Sequence, residues 1–100
     1  MIFGMTNNNG TSPKKAKSEL NDALQTLSST FSFRRIDDVE LVTSRDIQFG
    51  FETKMGTEVK GNLYVGPKEV NVSISMEPED PPYIDFIPGK LETEITRIFG

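Results

Sequence analysis

The sequence contains no cysteine, no histidine and no tryptophan. Without cysteine there is no disulfide to staple the fold and no thiolate to act as nucleophile or metal ligand. Without histidine, the side chain that most often moves protons near neutral pH and most often binds transition metals is missing. No stretch approaches the roughly 20 consecutive apolar residues that a membrane-spanning helix needs. The opening Met1-Ile2-Phe3-Gly4-Met5 is apolar, but it lacks the basic flank and the length of a secretory leader. A cytoplasmic protein is therefore expected, in keeping with the absence of cysteine. The acid–base groups that remain are carboxylates, lysines and two tyrosines. Paired carboxylates need a cleft and an apolar setting for one partner, and the acids here fall in turns and on polar strand positions. The serines and threonines have no histidine base. No glycine-rich phosphate loop occurs. These absences predict a protein that is not an enzyme and carries no cofactor. The acidic clusters Asp37-Asp38-Glu40 and Glu77-Glu79-Asp80 lack the spacing of a calcium loop, so no metal is expected either.

What is present suits one folded domain of 100 residues, with 35% apolar and 26% charged side chains. The small polar run Thr6–Thr11 predicts a flexible N-terminal segment over residues 1–12, with a single domain over 13–100. Ser12-Pro13 is a strong helix start, with serine as N-cap and proline at the first helical position. Ala16, Leu20, Ala23, Leu24, Leu27 and Phe31 follow at helical spacing, predicting an amphipathic helix over about 13–30. The period then changes. Val39–Thr43 is β-rich, and Ser44-Arg45-Asp46 reads as a turn.

Three segments then alternate strictly. Ile47, Phe49 and Phe51 are interleaved with polar residues or glycine, as are Val59, Leu63 and Val65, and then Val70, Val72, Ile74 and Met76. Period-two alternation over consecutive segments joined by short Gly-containing links predicts an antiparallel meander. Gly50 and Gly61, inside strands, predict bulges or close backbone packing. Prolines 78, 81 and 82 end the meander. Tyr83–Ile87 could add a short strand, which Pro88-Gly89 would break. Leu91, Ile95, Ile98 and Phe99 favour a second helix over 91–99. The predicted fold is an α+β two-layer sandwich. An N-terminal helix, an antiparallel meander sheet of three to five strands and a C-terminal helix are arranged with both helices on one sheet face. Leu20, Leu24, Leu27, Phe49, Phe51, Val59, Leu63, Val70, Val72 and Ile74 should form the core.

The net charge of −4 is unevenly spread. Before Asp37 the basic residues Lys14, Lys15, Lys17, Arg34 and Arg35 outnumber Glu19 and Asp22; from Asp37 onward six basic residues face thirteen acidic ones. Charge asymmetry bears on the choice of partner. The reading that follows is a non-catalytic protein-binding module, a small regulator, inhibitor or assembly factor. It would present an acidic sheet and loop to a basic partner protein, and its contact residues would be Glu77, Glu79, Asp80, Tyr83 and Asp85. Prolines pre-order that loop and aromatics anchor interfaces. An acidic sheet could also mimic nucleic acid in a partner's basic groove. One alternative is nucleic-acid binding through Lys14, Lys15, Lys17, Arg34 and Arg35. It is weakened by the single aromatic, Tyr64, on the polar sheet face, where RNA-reading sheets stack bases on two or three. Another is a homo-oligomeric structural protein joined at sheet edges or faces.

Overall fold

The computed structural model describes residues 1–77 and 87–100. Seven elements surround and include the expected helix–meander–helix frame. They are β1 (Ile2–Thr6), α1 (Pro13–Phe31), β2 (Arg35–Ile36), β3 (Glu40–Leu41), β4 (Asp46–Glu52), β5 (Glu58–Val65) and β6 (Glu69–Glu77), and the chain closes on an eighth, α2 (Ile87–Phe99). The fold is α+β, with a six-stranded antiparallel sheet in the order β1-β6-β5-β4-β2, β3 also pairing with β4.

Helix α1 starts as its residues dictate. The Ser12 hydroxyl accepts the Lys15 N–H at 3.2 Å, and Pro13 occupies the first turn, where its missing N–H is no loss. It ends on Ser32 in the left-handed region (φ 55°), whose N–H reaches the Ser28 carbonyl at 2.8 Å. Its buried stripe is Ala16, Leu20, Ala23, Leu24 and Leu27, of which all but Ala23 pack with Ile87, Leu91, Ile95 and Phe99 of α2 into one core. That core also holds Ile47, Phe49, Phe51, Val59, Leu63, Val65, Val70, Val72 and Ile74, the odd-face residues of the meander together with the even-face ones of β6. Both helices therefore cover the same side of the sheet. All ten residues expected in the core are buried.

Three expectations are corrected. The meander is flanked by more strands than the alternation showed, because β2 and β3 are two residues each and too short to carry a period. The lead-in 1–12, read as a flexible segment ahead of the domain, supplies the strand β1 and two buried polar residues, Asn7 and Thr11. The Asn7 amide explains this ordering. It donates to the carbonyls of Thr11 (3.0 Å) and Gly66 (2.9 Å) and accepts the Thr11 N–H (2.9 Å), tying the lead-in to the β5–β6 turn. Pro88-Gly89 does not break an element but lies in the first turn of α2, where proline is favoured. The short strand expected from Tyr83 lies outside the described residues, apart from Ile87, which opens α2.

The strand glycines resolve as close packing, since the β4–β5 register runs unbroken from Asp46–Tyr64 to Glu52–Glu58 without a bulge. Gly61 lies directly opposite Phe49, and the Phe49 ring occupies the space a Gly61 side chain would fill. Gly50 allows a similar approach on the other face, where a Cβ would stand 2.6 Å from Asp37 Oδ2.

Candidate functional site

With both helices on one side, no described helix or strand covers the other side of the sheet, and the register decides what stands there. Its rows run across the strands. Arg35, Glu52, Glu58 and Glu77 are consecutive neighbours in one row. Gly50, Lys60 and Ser75 form a second, and Glu40, Gln48, Asn62, Ser73 and Ile2 a third. Asp46, Tyr64, Asn71 and Gly4 form a fourth. Asp37, Asp38 and Glu40 border a hollow of about 580 Å³ whose lining includes Gln48, Lys60, Asn62, Ser73 and Ser75. The lining is mostly polar, with three carboxylates and one cation, Lys60.

Three glutamates in one row is an unfavourable arrangement, since like charges directly opposite one another across strands repel. Arg35 offsets part of it. Its guanidinium donates to Asp37 Oδ1 at 2.8 Å, Glu52 Oε1 at 3.0 Å and Glu58 Oε1 at 3.5 Å, and Arg34 adds a contact to Glu52 Oε2 at 3.5 Å. The Asp37 hydrogen bond and charge, joined by Glu58 and Glu52, hold Arg35 above its ordinary pKa. Glu77 makes no ion pair with any described residue and is exposed. Asp37 is placed by its own N–H, which donates to the Gly50 carbonyl at 2.9 Å, and the bare Gly50 backbone lets its carboxylate fold inward.

At the far end of the face the turn before β4 organises Asp46. The Thr43 hydroxyl accepts the N–H groups of Arg45 and Asp46 and donates to Asp46 Oδ2 at 2.7 Å; Asn62 Nδ2 donates to Asp46 Oδ1 at 3.1 Å. The Thr43 hydrogen bond, with that of Asn62, lowers the Asp46 pKa. A carboxylate whose folded pKa lies below its unfolded value of about 3.9 contributes stability that is full above that value and is lost as pH falls through the folded one. The stability difference between the native chain and Asp46→Asn is accordingly expected to be constant near neutrality and to shrink below about pH 4. Urea unfolding across that range checks it, and a difference independent of pH would contradict it.

The sequence-derived site residues are distributed as follows. Glu77 ends β6 and belongs to the acidic row. Glu79, Asp80, Tyr83 and Asp85 lie outside the described residues. Lys14 and Lys15 are exposed and Lys17 half-buried at the start of α1, while Arg34 and Arg35 follow its other end. A helix of this length spans about 28 Å, so the five basic residues form two separate groups, and the arginine pair is engaged by carboxylates. The row partners Glu52 and Glu58, with Asp37, Asp38 and Glu40 at the hollow, were not singled out as contact residues by sequence reasoning. Alternation places Glu52 and Glu58 on the polar face, but only the register sets them beside Glu77. Among the described residues no group of three or more acidic side chains is disposed to hold a metal ion, and no helix is long and apolar enough to cross a membrane. No protein-family model matches this chain and no curated protein shows significant similarity to it, so the functional reading rests on the geometry of the open sheet face.

Proposed function

We propose that this chain is a non-catalytic protein-binding module that receives a basic segment of another protein on its open sheet face. The observation that carries the reading is the row Glu52–Glu58–Glu77, set across three adjacent strands at a cost in repulsion that Arg35 and Arg34 only partly offset. A cationic partner would relieve that repulsion, and the polar hollow beside it offers hydrogen-bonding groups from Gln48, Asn62, Ser73 and Ser75. Electrostatic complementarity of this kind raises association rate and selects partners by charge. Glu79, Asp80, Tyr83 and Asp85 belong to the same proposal because they follow Glu77 directly in the chain. A role as a small regulator, inhibitor or assembly factor follows from binding without chemistry. Nucleic-acid binding is less well supported, since Arg34 and Arg35 are paired with carboxylates and are separated from the lysines by the length of α1.

The test is titration of the isotope-labelled protein with a lysine-rich peptide, followed by amide chemical shifts. Shifts are expected at Gln48, Lys60, Asn62, Ser73 and Ser75, weakening with salt. Because exposed ion pairs contribute little singly, the double reversal Glu58→Lys/Glu77→Lys is the useful variant, with binding weakened about tenfold or more. Shifts confined to the helical side, or equal affinity for the variant, would overturn the proposal.

A further inference from the structure

The two edges of the sheet are built differently. On one side, β2 and β3 are two residues each and are surrounded by Arg34, Arg35, Asp37, Asp38 and Glu40. Short strands and charges are the usual means of keeping an edge from pairing with another chain. The opposite edge, β1, has neither. From Ile2 to Thr11 the chain contains no charged residue and no proline, Ile2 is 83% exposed, and no described helix or strand covers the outer side of β1.

The hydrogen bonds of β1 fix which backbone groups face outward. Met1 exchanges bonds with Ile74 (Met1 N–Ile74 O 2.7 Å, Ile74 N–Met1 O 2.8 Å), and Asn7 N–H donates to Lys68 O at 3.0 Å. In an antiparallel ladder bonded and non-bonded positions alternate, so odd-numbered residues bond to β6 and Ile2, Gly4 and Thr6 direct their N–H and C=O groups away from it. These outward groups are centred on Gly4.

We propose that β1 pairs with β1 of a second copy of this chain, antiparallel, about a two-fold axis through Gly4. In that register Gly4 meets Gly4 of the second copy, Ile2 meets Thr6, and Phe3 meets Met5. Every outward group of β1 is then satisfied. Phe3 and Met5, which are only half-buried against the core of one copy, gain a cover of the same composition, with a favourable thioether–aromatic contact. The contact holds no charged side chain in a chain of net charge −4, so two copies can approach there without bringing acids together. A two-fold axis normal to the sheet puts both open faces on the same side of a continuous twelve-stranded sheet. The inference does not depend on what binds that face.

The experiment is light scattering on the full chain up to millimolar concentration, with two variant sets. The native chain is expected at twice the monomer mass. Ile2→Lys, at an exposed position that leaves the core untouched, is expected to stay folded by circular dichroism and to run as a monomer. Under mild oxidation Ile2→Cys/Thr6→Cys is expected to cross-link into covalent dimers, because paired positions stand about 5.5 Å apart, within disulfide range. Ile2→Cys alone is expected not to, because its two copies would lie about 14 Å apart along the strands. The proposal is overturned by a native monomer at all concentrations, by dimers that persist in Ile2→Lys, or by cross-linking of the single variant. A monomer whose Gly4 amide exchanges slowly would show that the edge is already covered within one chain. A monomer that takes up an added extended peptide would assign the edge to a different chain; either result overturns pairing with a second copy.

Discussion

Phe51→Ala is expected to lower stability by about 3–5 kcal/mol, enough to consume much of the 5–15 kcal/mol typical of a domain this size. The ring is fully buried on β4, between the short edge strands and β5, in a row with Ile36, Val59 and Met76. It also stacks on Phe33, with centroids 4.2 Å apart and planes 10° from parallel, and Phe33 in turn stacks on Phe31 at 6.5 Å. The three rings connect the end of α1 to β4, so truncation removes both buried area and the contact that fixes the helix exit over the sheet. Aromatic pairing adds about 0.5–1.5 kcal/mol beyond area. The melting temperature should fall by roughly 15–30 °C. Phe33→Ala, at a half-buried position, should cost less, and the double variant should cost less than the two singles combined, because each removes the same stack. Calorimetry on the three variants decides it. A loss below about 1 kcal/mol for Phe51→Ala would mean that the stack is not what holds α1 in place.

Where the sequence was informative, a single physical signal sufficed. Ser12-Pro13 and a stripe of apolar residues specify α1, because capping and burial act within a few residues of each other. The meander is visible for the same reason: Ile47–Phe51, Val59–Val65 and Val70–Met76 each alternate over enough residues to show a period. What was hidden depends on partners distant in the chain. The strand β1 owes its existence to β6, some 70 residues later, and Gly4 interrupts its apolar side chains. The basic group Lys14–Arg35 looked continuous because sequence distance ignores the length of the intervening helix. The arginines looked free because their partners Glu52 and Glu58 follow much later and meet them only through the register. The acidic row was half legible: each glutamate could be placed on the polar face, but their adjacency is a property of strand pairing. Pro88-Gly89 reads as a strand breaker because proline cannot donate to a ladder, yet the same residue opens a helix at its first turn.

Gly61→Ala is expected to destabilise the fold by about 2–3 kcal/mol, although alanine normally suits a strand better than glycine. The reason is the cross-strand pair Phe49–Gly61. A Cβ at position 61 would fall on the far edge of the Phe49 ring, in contact with Cζ and both Cε atoms. An exposed ring would swing aside at small cost, but Phe49 is only 4% exposed and belongs to the packed core, where a forced rotamer change disturbs its neighbours. The ring in effect supplies the side chain that Gly61 lacks, covering its backbone from the core side while Lys60 and Asn62 face the open side. This yields a reversal of sign as the test. In a Phe49→Leu background, where the ring is gone, Gly61→Ala should become neutral or stabilise by about 0.5–1 kcal/mol, because the only remaining effect is the reduced freedom of the unfolded chain. Denaturant unfolding of the two singles and the double variant measures the coupling between the positions. If alanine at position 61 destabilises equally in both backgrounds, the ring is not the obstacle, and the proximity of β5 to some other part of the core must be.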